Sequence, residues 1–395
     1  MFLVFGEFMF SSEISPYIRV RAIYDGAIGL LRRIAEENEL KNMYIFTGSG
    51  YTKRKLGPRL VRLLHDYLVP NHEEAIGIKD ATEGYVRMVE RVAKRSGAEV
   101  LVAAGGGKTI DTVKLAAHRL KLKWISTPTV LSHDGIASPR VSIVGDKEYS
   151  VKADLPEAVV IDLRIARRAP YNLTVAGFED VVAKLSSVKN LTLAIKESKR
   201  LQAKYDKKTM GRIESLMIDK SALKLLEDVK QLEKKNLQLN SYHKFAKDAF
   251  IDLAESLLRC GFGMHIADSS QPASGPEHLW AHSVNHILRS RGLKPKIHGE
   301  LVGVGTIASL YVLEDFFNTT AYEVTWKNFQ QHLRYLGAPT NAEELGLSKK
   351  ILIDALIDAA ELGHKRRRFT YLEEISDRLT ETLARGILRQ SEIIQ

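Results

Sequence analysis

Cysteine is almost missing from this chain: Cys260 is the only one among 395 residues. A lone thiol excludes an internal disulfide and the bridge-stapled secreted scaffolds, so an intracellular, cytoplasmic protein is the expectation. Long apolar runs are missing too. No stretch reaches the about 18 consecutive apolar residues of a membrane span. The N-terminal MFLVFGEFMF is apolar but short, contains Glu7 and lacks the basic segment that opens a signal peptide. There is no internal repeat and no low-complexity linker. Acidic charge is the minority, with 48 Asp and Glu against 58 Lys and Arg, a formal net charge of +10. That excess admits nucleic acid, an acidic membrane surface or an anionic small substrate as partner. An apolar fraction of 45% excludes wholesale disorder, and the length suits about two domains.

The first part of the chain alternates short apolar runs with amphipathic stretches. Residues 42–47, 99–104 and 124–127 read as strands. Residues 27–37, 58–67, 81–96 and 109–120 read as helices, with Asp25 and Asp80 as expected caps. This alternation indicates an α/β domain with a mainly parallel sheet. Near residues 162–170 strand signals fade. Residues 185–258 then read as one long helical tract without proline, and further helices follow. The expected organisation is an α/β domain over residues 1–168 and an all-α domain over 169–395, with the cleft between them as the natural site.

Two features carry chemistry. The first is Gly105-Gly106-Gly107-Lys108-Thr109-Ile110-Asp111 between a strand and a helix. Glycines let backbone N–H groups approach an anion, and the helix dipole favours negative charge there. A Walker A motif is excluded, because Val102 stands where its first glycine belongs. A bare strand–helix turn without ligand remains the alternative.

The second is SGPEHLWAHSVNH. Ser274 or Gly275 caps a helix, Pro276 opens it and Glu277 lies in its first turn. His278, His282 and His286 recur every four residues on one face. His298 starts the next helical block. Neutral imidazoles grouped this way suit zinc, and an open zinc site has three protein ligands, so a carboxylate is needed. Asp180 in GFEDVVAK is the candidate; its alternative role is an ordinary first-turn acid.

GGGKTIDTVK (105–114), STPTVLSHDGIASPRVS (126–142), SGPEHLWAHS and HGELVGVGT together resemble the archaeal sn-glycerol-1-phosphate dehydrogenases. These belong to the superfamily of iron alcohol dehydrogenases, glycerol dehydrogenases and dehydroquinate synthases. The resemblance runs from about residue 47 to RRRFTYLE and is weakest over 189–250. It implies a Rossmann-like N-terminal domain, a helical C-terminal domain, NAD(H) or NADP(H), and Zn2+ on Asp180, His278 and His298. It places the cofactor along Gly105, Gly106, Gly107, Lys108, Thr109, Ile110 and Asp111, then Thr129, Val130, Leu131, Ser132 and Ser138. It places substrate contacts on Asp134, Asp180 and His282. Four departures from the family pattern stand out: Glu179 for a small residue, Asp268 for Gly, Gln271 for Arg, and Asn190-Leu191 for an Asp-Trp pair.

The implied reaction is reduction of dihydroxyacetone phosphate to sn-glycerol 1-phosphate for ether-lipid backbones. His282 is a proton relay or a support of the metal ligands. Asp134 would accept hydrogen bonds from substrate hydroxyls or support the metal and its water. Arg140 and Lys365–Arg368 are the phosphate-binding candidates. Lys53, Arg54 and Lys55, after a strand ending in Thr47-Gly48-Ser49-Gly50, are candidates for a 2′-phosphate. The alternatives are another polyol dehydrogenase or a dehydroquinate-synthase-like enzyme. A different class is a basic protein that binds nucleic acid or a membrane on the same scaffold.

Nucleic acid is not expected, since no recognised motif for it is present. A homo-oligomer is expected. Residues 181–250 hold 16 Lys and Arg against 8 Asp and Glu, so most of the basic excess lies in the tract that resembles the family least. It reads as a solvated face, or as one meeting acidic lipid or a partner subunit.

Overall fold

Strand β4 (Val100–Gly105) is buried at all six positions, as a strand covered on both faces must be. It is central to a sheet whose other members are β1 (Val20–Tyr24), β2 (Met43–Gly48), β3 (Ile76–Ile78), β5 (Lys123–Pro128) and β8 (Ala158–Asp162). Their order is β1-β8-β5-β4-β2-β3, and every pair is parallel. A separate antiparallel hairpin joins β6 (Arg140–Ile143) to β7 (Tyr149–Lys152). These elements come from a computed structural model that describes residues 18, 20–144, 149–241, 243–365, 370–376 and 379–395. The apolar N-terminal decapeptide and Arg366–Phe369 lie outside the described residues.

The chain divides into two units. The first takes the described residues of Met1–Val130, Gly135–Gly145 and Tyr149–Ala166. Its core includes Leu31, Met43, Ile45, Leu60, Val102, Ile125 and Val160, contributed by strands and covering helices alike. The helices fall where the periodicity puts them, but two caps differ. The third helical stretch begins at Glu83, because the Thr82 hydroxyl rather than Asp80 accepts the Tyr85 N–H. The first begins with a 3-10 turn at Ala27 after Gly26, whose φ of 88° suits glycine. The Gly26 N–H donates to Asp162, not to Asp25.

The second unit takes Leu131–Asp134 and the described residues from Arg167 onward. It is helical, with Tyr171–Val182, Lys184–Glu197, Lys244–Ile266, Pro276–Ser290 and His298–Phe317 as its central members. The basic tract is helical but not continuous. Ser198 and Asp206 each adopt extended backbone and cap a new short helix, accepting the N–H of Leu201 and Thr209. Short polar side chains compete with the helical backbone in this way. The π-helix Ser215–Leu223 follows, and a left-handed Asn236 lies just past the end of the next helix, Lys224–Lys234. No helix among the described residues is long and apolar enough to cross a membrane.

Candidate metal centre and cofactor loop

Close helix packing assembles the ligand group. The helix His298–Phe317 lies against Tyr171–Val182 at two glycines one turn apart. A Cβ on Gly299 would sit 2.2 Å from the Ala176 carbonyl oxygen, and one on Gly303 would sit 2.2 Å from Glu179 Oε1. Any larger residue would push the helix bearing His298 away from the helix bearing Asp180. Gly177 plays the same part for the segment Leu131–Asp134: its Cβ would fall 2.0 Å from the Leu131 carbonyl oxygen. The backbone N–H of Asp134 then donates to Asp180 Oδ2 at 2.8 Å.

One donor atom each from Asp180, His278 and His298 lie within 4.8 Å of one another. Asp180 and His278 are buried and His298 half-buried. His278 Nε2 faces Asp180 Oδ1 at 3.2 Å. One carboxylate and two imidazoles make a donor set that fits Zn2+ with an exchangeable fourth position. The His282 ring is 5.3 Å from that of His298, and the ring of His278 is 5.2 Å from it. His286, one turn further along the same helix, is exposed and takes no part in the group.

Two residues central to this arrangement were not singled out in the sequence as site residues. Lys184, one turn after Asp180, is fully buried and reaches Asp134 Oδ2 at 3.0 Å and Asp180 Oδ1 at 3.2 Å. Burial alone would lower its pKa; the two carboxylates outweigh this and raise it. Burial would raise the pKa of Asp180, but Lys184, His278 and His298 hold it well below the carboxylate range. Burial, then the charge of Asp180, raises that of Asp134. The i, i+4 spacing of Asp180 and Lys184 was the available signal.

The other is Glu277. It is fully buried, yet burial is outweighed by hydrogen bonds from His278, Ser186 and Ser187, which bring its pKa down to about 2. The lone thiol, Cys260, is buried, which pushes its pKa up and leaves it inert.

In the first unit the glycine loop ends β4. Thr129 N–H donates to the Gly105 carbonyl at 3.0 Å, so the two stretches expected to touch a cofactor are tied together. Gly106 caps the helix Gly107–Leu120 with no side-chain partner at that start. Gly106, Gly107 and Thr129 are half-buried and Lys108 is exposed, while Gly105, Thr109, Ile110, Asp111, Val130 and Ser138 are buried. The Asp111 carboxylate accepts from Lys114 Nζ and from the Ser142 N–H, so it braces the hairpin. Ser138 Oγ donates to the Arg140 carbonyl. Arg140 is half-buried, and Lys53 pairs with Glu74 at 3.1 Å. In the second unit, Leu131 is buried and Ser132 half-buried.

Three of the departures have structural counterparts. Asn190 Oδ1 accepts the Tyr371 N–H at 2.8 Å. Asp268 adopts φ 42°, the left-handed region where glycine is at ease. Glu179 fills the space left open by Gly303.

Comparison with known proteins shows the family. A family model for iron-containing alcohol dehydrogenases matches residues 22–170. An NAD(P)+ glycerol-1-phosphate dehydrogenase of Methanosphaera stadtmanae is 33% identical over 381 residues, covering 95% of this chain and 97% of that protein. This chain belongs to the glycerol-1-phosphate dehydrogenase family. A second such relative, from Hyperthermus butylicus, is 34% identical across 93% of this chain and 95% of its own. The fold is shared more widely. A probable glycerol dehydrogenase from Sinorhizobium meliloti superposes with a TM-score of 0.67 at 18% identity, covering 95% and 96% of the two chains. Glycerol dehydrogenase of Schizosaccharomyces pombe gives 0.64 at 16% identity over 96% and 92%.

Proposed function

We propose that this chain catalyses the NAD(P)-dependent interconversion of dihydroxyacetone phosphate and sn-glycerol 1-phosphate. The observation that carries the reading is the convergence of Asp180, His278 and His298 in a chain that matches glycerol-1-phosphate dehydrogenases over nearly its full length. These three residues would hold Zn2+, and the glycine loop with Thr129 would hold the nicotinamide cofactor. When bound, zinc supplies a Lewis acid for the ketone oxygen and the reduced nicotinamide supplies the hydride.

The remaining work falls to side chains. Lys184 pairs with both Asp134 and Asp180, offsetting one of their two charges, and keeps both carboxylates in place within a buried site. Asp134 accepts hydrogen bonds from substrate hydroxyls. His282, half-buried beside His298, carries the proton that the alkoxide needs. The phosphate requires cationic or N–H donors, and Arg140 is the described candidate.

A substrate panel tests the reading. Dihydroxyacetone phosphate is expected to oxidise NADH or NADPH, with sn-glycerol 1-phosphate as product. Turnover of glycerol or of a seven-carbon keto-phosphate, with none of dihydroxyacetone phosphate, would overturn it. Self-association and a contact of the basic helical surface with acidic lipid belong to the same reading. Light scattering and vesicle sedimentation test them.

A further inference from the structure

We propose that Glu277 is a positioning residue that fixes the tautomer of His278, holding the proton on Nδ1 so that Nε2 is the donor offered to the metal. The inference rests on reading Asp180, His278 and His298 as the metal group. Nε2 is the nitrogen that faces Asp180. A neutral imidazole that gives its Nε2 lone pair to a cation must keep its one proton on Nδ1. Nδ1 lies 2.8 Å from Glu277 Oε1. An ionised carboxylate can only accept, so this contact admits one assignment, Nδ1–H donating to Glu277.

The carboxylate is itself clamped. Ser186 Oγ donates to Oε2 at 2.6 Å, Ser187 Oγ to Oε1 at 2.7 Å, and the Gly275 N–H to Oε1 at 2.7 Å. Charge-assisted bonds of this kind are short and strong, and together they keep the group anionic and immobile. The clamp also links elements. Ser186 and Ser187 sit on the helix Lys184–Glu197, just beyond the helix end that carries Asp180, while Glu277 and His278 open the next ligand helix. One short stretch thus supplies a ligand and the two hydroxyls that aim a second ligand. A carboxylate behind a ligating imidazole orients the ring and raises its basicity, and losing it typically weakens metal binding by about 10–100-fold.

The test uses the full-length protein stripped of metal and titrated with zinc against a chromophoric chelator. Glu277→Leu keeps the bulk but offers Nδ1 no acceptor, so nothing holds the proton there, while Glu277→Gln keeps an acceptor and removes only the charge. Zinc affinity is expected to fall by about 10–100-fold in Glu277→Leu and by less in Glu277→Gln. Equal affinity in wild type and Glu277→Leu would overturn the inference. If the wild type binds no zinc, the metal reading falls and the inference with it.

A second measurement needs no folded variant at Glu277. Two-bond 1H–15N spectra of zinc-loaded wild type, with the His278 signal identified by its loss in His278→Ala, report which ring nitrogen bears the proton. A proton on Nδ1 supports the assignment, and a bare or metal-bound Nδ1 overturns it.

Discussion

Glu277 and Glu179 are both wholly buried carboxylates of the helical unit, and their surroundings are opposite. Around Glu277 four donors converge. Around Glu179, on the seam between the helices Tyr171–Val182 and His298–Phe317, neither oxygen has a hydrogen-bond partner. The first is held at about 2, while burial and then the charge of Glu300 push the second well above the ordinary range. Asp228 lies between the extremes. It accepts from Lys224, its other oxygen is unpartnered, and burial lifts it to about 6. Burial is common to all three, so the number of donors decides whether a buried acid stays charged. Depth alone does not keep a carboxylate charged; a full set of donors does.

The largest expected effect tests the satisfied side of this contrast. His278→Ala or His298→Ala should lower turnover of dihydroxyacetone phosphate by about a thousandfold or more, since each would remove a proposed ligand of the Lewis acid. A steady-state assay at saturating cofactor reads this. Next comes stability. Glu277→Ala leaves two hydroxyls, an N–H and an imidazole without their acceptor, and should cost about 3 kcal/mol or more in denaturant unfolding.

Glu179→Met should act in the opposite direction, stabilising by about 1–2 kcal/mol near neutral pH, because no bond to the acid is lost and no buried polar group is left unpaired. Destabilisation by both variants would break the comparison.

Asp228 sharpens it through pH. Its folded pKa, about 6, lies above the unfolded value of about 3.9. Its contribution is therefore fully present below pH ~4 and is lost as pH rises through about 6. Asp228→Asn should gain on wild type by about 1–2 kcal/mol between these limits, with little difference at pH 4. Unfolding curves across that range check it. The smallest effect is expected at Asp268, where Gly would relieve a left-handed backbone worth about 1 kcal/mol, partly offset by glycine's entropy.

Much of the fold was legible because apolar periodicity and glycine breaks report local structure directly. The alternation of strands and helices up to residue 162 gave the parallel sheet, and the fading of strand signals gave the helical unit. Caps were less legible. Thr82 displaced Asp80 by two positions, and Gly26 rather than Asp25 stands at the cap of the first helical turn, since capping depends on distances that sequence spacing does not fix. The apparent single tract over 185–258 is interrupted because Ser198 and Asp206 cap new helices, which its Leu and Lys spacing does not reveal.

In the site, His278 and His298 were visible as a cluster, and Asp180 as the carboxylate opening the helical unit, a choice the resemblance strengthened. The clamp on Glu277 was not, because Ser186 and Ser187 lie ninety residues away in sequence and look like ordinary helix-surface serines. The spacing of His278, His282 and His286 overstated the group, since His286 turns to solvent.

Asp180, His278 and His298 are proposed to carry a metal on which reduction of dihydroxyacetone phosphate depends. The direct measurement is NADH oxidation by the stripped protein as zinc is returned in substoichiometric steps. The rate should start near zero and rise in proportion to zinc until one equivalent is bound, with no such rise in His298→Ala. Full activity before any zinc is added would contradict it.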